Sequence, residues 1–149
     1  MKSDLEQAVE LLKETKSTCV LCKDGQIHIS TERGVKPLIA FVESGRDYRG
    51  FSAADKIVGK AAALLYVLLG VHMVFAEVMS EDGIYTLARH GITPLCDTSV
   101  KEIRNRVGTG ICPMEEAVAE INATDEGIKA IQKKLSAMQE IHKKEGNPS

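Results

Sequence analysis

No part of this chain carries an excess of positive charge. Its 149 residues hold 19 Lys and Arg against 21 Asp and Glu, a net charge of -2. Residues 1–50 hold eight of each sign, 51–107 six of each, and 108–149 five basic against seven acidic. Binding of nucleic acid by bulk neutralisation of phosphate is therefore not expected. Long hydrophobic runs are missing too. The most apolar stretch, 57–79, contains Lys60, His72 and Glu77, and its longest piece free of charge and His, Ala61 to Val71, is 11 residues. A spanning helix needs roughly 20, so no membrane partner is expected. Met1-Lys2-Ser3-Asp4 leads into a charged amphipathic pattern and not an apolar segment, which speaks against a signal peptide. Four cysteines without such a signal point to free thiols in a reducing compartment, so the expected location is cytoplasmic. Internal repeats and low-complexity segments are absent.

What is present is enough for one compact domain: 16.2 kDa, 44% apolar and 27% charged residues. Leu5, Ala8, Val9 and Leu12 space a helix over 4–15, capped by Ser3 or Asp4. Lys23-Asp24-Gly25 joins two β-prone runs, 18–22 and 26–30, as a hairpin, with Ile27 and Ile29 expected to face the core. A short helix is read over 34–44. A long, nearly all-apolar helix is read over 53–69, with Ser52 as N-cap and Gly70 as stop. Then come a strand over 71–78, a helix over 80–90 capped by Ser80, and a short strand over 92–96. Residues 101–107 read equally as helix or extended chain. Pro113 opens a helix ending near Glu120, and Thr124 caps a last one running to about Lys144. Ile128, Ile131, Leu135 and Met138 give that helix one narrow apolar stripe, suited to docking on the domain or to pairing in a homo-oligomer. The order predicts an α/β fold, a three-layer α/β/α sandwich around a mixed sheet. Residues 1–122 form the body, and 123–149 form a C-terminal helix and tail packed on it.

Cys112 stands out chemically. It follows Gly108-Thr109-Gly110 and precedes Pro113, which places its thiol at a helix N-cap, where partial positive charge favours the thiolate. Arg104, Asn105 and Arg106 lie just upstream as candidate anion ligands, with Thr109 in the loop itself. Glu115, in the acidic first turn, is positioned to close a capping interaction with Cys112. Ser52, Asp55 and Lys56 open the long helix as read here, with Ser52 and Lys56 as ligand contacts and Asp55 as a proton-transfer group. A buried, purely structural Cys112 is the competing reading. The Gly-Thr-Gly loop lacks the Gly-Lys-Ser/Thr of a P-loop. Cys19 and Cys22 have C-x-x-C spacing, but neither a second such pair nor an H-x-x-x-H follows, so no metal or other cofactor is expected.

Three stretches, 32–38 (ERGVKPL), 50–63 (GFSAADKIVGKAAA) and 106–115 (RVGTGICPME), resemble an uncharacterised family of small prokaryotic proteins, a domain of unknown function related in fold to the cytidine deaminases. The resemblance covers about residues 5–120 and implies a cytidine deaminase-like sandwich. In deaminases a His/Cys-Ala-Glu motif and a Pro-Cys-x-x-Cys motif hold zinc between two helix N-termini. The nearest matches here are Ser52-Ala53-Ala54, without ligand or proton-shuttling Glu, and Ile111-Cys112-Pro113-Met114-Glu115, with one Cys. The resemblance thus implies the pocket without the zinc. The reading is a deaminase-like protein that binds a nucleotide-like or anionic small molecule beside a reactive Cys112. Its alternatives are a zinc-free enzyme with Cys112 as nucleophile and Asp55 or Glu115 managing protons, and an interaction module without ligand chemistry.

Overall fold

The computed structural model describes residues 2–105, 108 and 110–146, with side chains of the last helix described as far as residue 139. The elements are α1 (Asp4–Glu14), β1 (Cys19–Lys23), β2 (Gln26–Ser30), α2 (Lys36–Glu43), β3 (Ser52–Val58), α3 (Lys60–Leu69), β4 (Met73–Ser80), α4 (Glu81–Arg89), β5 (Thr93–Val100), α5 (Pro113–Val118) and α6 (Thr124–Gly146). Five strands form one mixed sheet in the order β2-β1-β3-β4-β5. β1 runs antiparallel to β2 and β3, while β3, β4 and β5 are parallel. The predicted α/β/α sandwich is what the chain forms.

The two faces of the sheet bury separate cores, because successive residues of a strand point to opposite sides. Val20, Cys22, Ala54 and Phe75 pack under Ala8 and Leu12 of α1. Cys19, Leu21, Ala53, Val74 and Ala76 face the larger core, which α2 to α6 complete. Cys19 and Cys22 therefore lie on opposite faces and cannot act as a pair. Ile131 of α6 is fully buried in the larger core, flanked by Ile128 and Leu135, so the apolar stripe docks on the domain as far as Leu135. Met138 is exposed. Asp24 and Gly25 both have positive φ, 48° and 83°, as a tight hairpin of matching twist requires.

Three expectations are corrected. Residues 53–69 are not one helix: Ser52–Val58 is the central strand β3, Gly59 is extended, and α3 starts only at Lys60. Ser52 to Asp55 are buried on both faces of the sheet, polar and apolar residues alike, so no period of two marks the strand. Ser52 is therefore the first residue of a strand and caps nothing. Gly70 does stop α3, in the left-handed conformation at φ 74°. In β2 the expected faces are reversed. Ile27 and Ile29 are 42% and 47% exposed, because α1 packs on β1, β3 and β4 and leaves the edge strand uncovered. His28 instead turns inward, edge-on to Tyr48 with ring centroids 5.2 Å apart. The last strand is also longer than read, continuing to Val100.

Candidate functional site: the C-terminal edge of the parallel strands

Two helices begin where parallel strands end, α3 after β3 and α4 after β4. Each leaves first-turn N–H groups without an intrahelical partner. At α4 the strand's own last residue supplies one, since Ser80 Oγ accepts from Gly83 N at 3.0 Å. α3 has only Gly59 at its N-cap. Its acceptor comes from α5: Glu115 Oε1 accepts from Lys60 N at 2.7 Å, and Oε2 accepts from Ala61 N at 2.8 Å. A Cβ on Gly59 would overlap that carboxylate, so the glycine is the socket for it. Lys60 Nζ in turn donates to Ala119 O at 3.1 Å, fastening the other end of α5. Burial pushes the Glu115 carboxyl upward; the two N–H donors pull against this, and the Asp82 charge adds to it. The sequence spacing suggested a capping interaction with Cys112; instead the Glu115 carboxylate caps α3, and only its backbone N–H reaches Cys112, donating to Cys112 O at 3.0 Å.

Between β5 and α5 the chain forms a narrow arm. Asn105 N donates to Gly110 O and Cys112 N to Ile103 O, both at 2.9 Å, and Arg104 and Ile111 form a β-bridge. Beside the arm, beyond the ends of β3, β4 and β5, lies an open cleft of about 480 Å³. Ile57, Val78, Val100 and Ile103 form its apolar part, and Lys101, Glu102 and Arg104 its polar wall. Arg104 pairs with Glu102 at 3.0 Å.

Not all candidate residues meet there. Arg104 lines the cleft, and Asn105 and Cys112 sit in the arm that forms its wall. Cys112 is the N-cap residue of α5, half-buried, with its side chain packed against the larger core. Lys56 stays at the strand end, paired with Glu77 at 3.2 Å. Ser52 is buried at the opposite end of β3, a distance of about 20 Å at the usual rise of a strand. Asp55 is buried in mid-strand, where its Oδ2 accepts from Tyr66 OH at 2.7 Å. Neither lines the cleft. Arg106 and Thr109 lie outside the described residues. Among the described residues no group of three or more His, Cys, Asp or Glu side chains is placed to hold a metal ion. A zinc ion held as in deaminases does not fit here: beside Cys112 stands Glu115, and both its oxygens are taken by α3. Sequence reasoning missed Ile57, Val78, Val100, Lys101, Glu102 and Ile103, since the cleft exists only once the ends of three strands are aligned.

Residues 7–135 match the model of a family described as TM1506, domain of unknown function (DUF1893). A DUF1893 family protein of known structure, TM1506 from Thermotoga maritima, superposes with a TM-score of 0.81 at 22% identity, covering 90% of this chain and 92% of that one. That likeness shows a shared fold. A diaminohydroxyphosphoribosylaminopyrimidine deaminase/5-amino-6-(5-phosphoribosylamino)uracil reductase from the same organism gives a TM-score of 0.42 at 17% identity, over 60% of this chain and 34% of that one. No curated protein matches the chain.

Proposed function

The chain belongs to the DUF1893 family, and from that premise we propose that it binds a small organic anion, of nucleotide-like size, in the cleft beyond β3, β4 and β5. The cleft itself carries this reading: an apolar part of Ile57, Val78, Val100 and Ile103 set against Lys101 and Arg104, from which an anion would displace Glu102, the present partner of Arg104 at 3.0 Å. An apolar surface takes the body of a ligand, and a few convergent polar groups orient it. A guanidinium suits a carboxylate or phosphate because its donors form a fork. Cys112 lies one backbone hydrogen bond from the wall, through Ile103, and an anion bound there should slow access to its thiol. Binding is favoured over turnover because both acids suggested for proton transfer are engaged elsewhere, Asp55 with Tyr66 and Glu115 with α3.

The test is a thermal-shift and calorimetric titration with adenosine monophosphate and with inorganic phosphate. A ligand at a hundred times its Kd stabilises the native state by about 2.7 kcal/mol, so a site of this kind raises the melting temperature. The double variant Lys101→Ala, Arg104→Ala should abolish the rise while leaving the unliganded protein's stability nearly unchanged, because both side chains are at the surface. A rise that survives the double variant, or none with either probe, removes the cleft as the site.

A further inference from the structure

Three ionisable side chains meet inside the larger core, away from the cleft. Cys19 of β1 and Asp55 of β3 are directly paired across the antiparallel ladder. Tyr66 reaches over both from α3. Its hydroxyl donates to Asp55 Oδ2 at 2.7 Å and lies 3.3 Å from Cys19 Sγ. With the phenol proton directed at the carboxyl, the thiol is the donor of the second contact. All three are buried, at 1% (Cys19), 0% (Tyr66) and 7% (Asp55) exposure. The chain of hydrogen bonds joins α3 to two strands at once. We propose that Cys19, Tyr66 and Asp55 form a proton-operated lock in which a neutral Asp55 holds α3 on the sheet and an ionised Asp55 loosens it.

Little around Asp55 offsets its charge. β1 presents Cys19 and α3 presents Tyr66, while β4 presents Ala76, which has nothing to titrate. Lys56, the next residue on the same strand, is engaged by Glu77. Removing a carboxylate from water without a counter-charge is costly, and the group responds by holding its proton. Burial pushes Asp55 up to about 7, although Tyr66 and the N–H groups of Lys56 and Ile57 pull the other way. Tyr66 and Cys19 are pushed well above their ordinary values, so both stay protonated while Asp55 titrates. The sign follows from linkage. A state in which Asp55 is buried binds its proton more tightly than one in which it is wetted. The lock is tightest in acid, weakens as pH rises, and levels off once the buried form is itself ionised. Because α3 carries the N–H groups that receive Glu115, loosening it also frees the clasp on α5.

The experiment is amide hydrogen exchange of the whole, unliganded chain, corrected for the intrinsic pH dependence. It needs no ligand and stands apart from the cleft. Protection of the α3 amides should fall about tenfold per pH unit from about pH 5 to about pH 7, then level off. Asp55→Asn keeps an oxygen for the Tyr66 proton and cannot ionise, so its profile should be much flatter, keeping only the smaller part due to Glu115 on the α3 N-terminus. A wild-type profile parallel to that of Asp55→Asn overturns the lock. Should that variant fail to fold, infrared spectroscopy of the wild type decides. A protonated carboxylic acid band that persists at about pH 6 and disappears with a midpoint near 7 supports the lock. Its absence at about pH 5 overturns it.

Discussion

The contact between Glu115 and Gly59 shows how much one residue pair contributes here. The two N–H groups at the start of α3 have no acceptor of their own, and a carboxylate 54 and 55 positions further on provides it. Glu115→Ala should destabilise the protein by about 1–2 kcal/mol, the usual cost of a lost N-cap. Gly59→Ala should cost at least as much, because its Cβ and the Glu115 carboxylate claim the same space. In the double variant that clash is gone, so the two losses should fall well short of additive in a urea-unfolding cycle; full additivity would show that the residues do not touch. The cysteines separate by burial. Cys19 and Cys22 are fully buried and burial raises both thiols, Cys22 to about 11, whereas Cys96 and Cys112 are half-buried. Alkylation read residue by residue by mass spectrometry should modify Cys112 and Cys96 first. Cys112 should be the one slowed by a bound anion, and equal protection of all four would make it a packing residue.

At the scale of elements, signals confined to a few neighbouring residues were legible in the sequence. Asp24-Gly25 makes the hairpin, Ser3 and Ser80 cap α1 and α4, Gly70 ends α3, and Pro113 begins α5. What depends on the partners of an element was not. The first four residues of β3 are covered on both faces, so no alternation sets the strand apart from the helix after it. Whether Ile27 or His28 of β2 faces inward depends on where α1 stops, which no residue of β2 encodes. The candidate site divides the same way: Arg104, Asn105 and Cys112 are near in sequence and stay together, whereas Ser52 and Asp55 were assigned to it only through the misread helix. α6 offers a test of packing. Ile131 is fully buried between α6 and the core, and Gly127 presses on Leu64, leaving 3.0 Å to a Cβ. Ile131→Ala should cost about 2–5 kcal/mol in urea unfolding. Met138→Ala should cost far less, because that side chain is 41% exposed. Equal effects would mean that α6 is held elsewhere along its length.

At the scale of the whole molecule, the distribution of charge sets how stability depends on pH. Among the described residues the ion pairs lie at the surface, with exposed or half-exposed side chains: Lys2–Glu10, Lys13–Asp97, Arg49–Asp47, Lys56–Glu77 and Arg104–Glu102. Exposed pairs contribute little, and acid removes little with them. The buried carboxyl of Asp55 and the half-buried one of Glu115 are both shifted upward. A carboxyl raised in the native state is protonated there before it is protonated in the unfolded chain. Its contribution is complete below the unfolded value and is lost as pH rises to the folded one. For Asp55 that window runs from the ordinary 3.8 to about 7. The urea midpoint should therefore be higher at about pH 5 than at about pH 7.5, with the slope of the unfolding line unchanged. Many proteins that rely on native ion pairs weaken over the same range in the opposite direction. Asp55→Asn should remove most of the difference, leaving the smaller part due to Glu115. A midpoint that falls steadily from about pH 7.5 to about pH 5 would mean that the surface pairs outweigh these two acids.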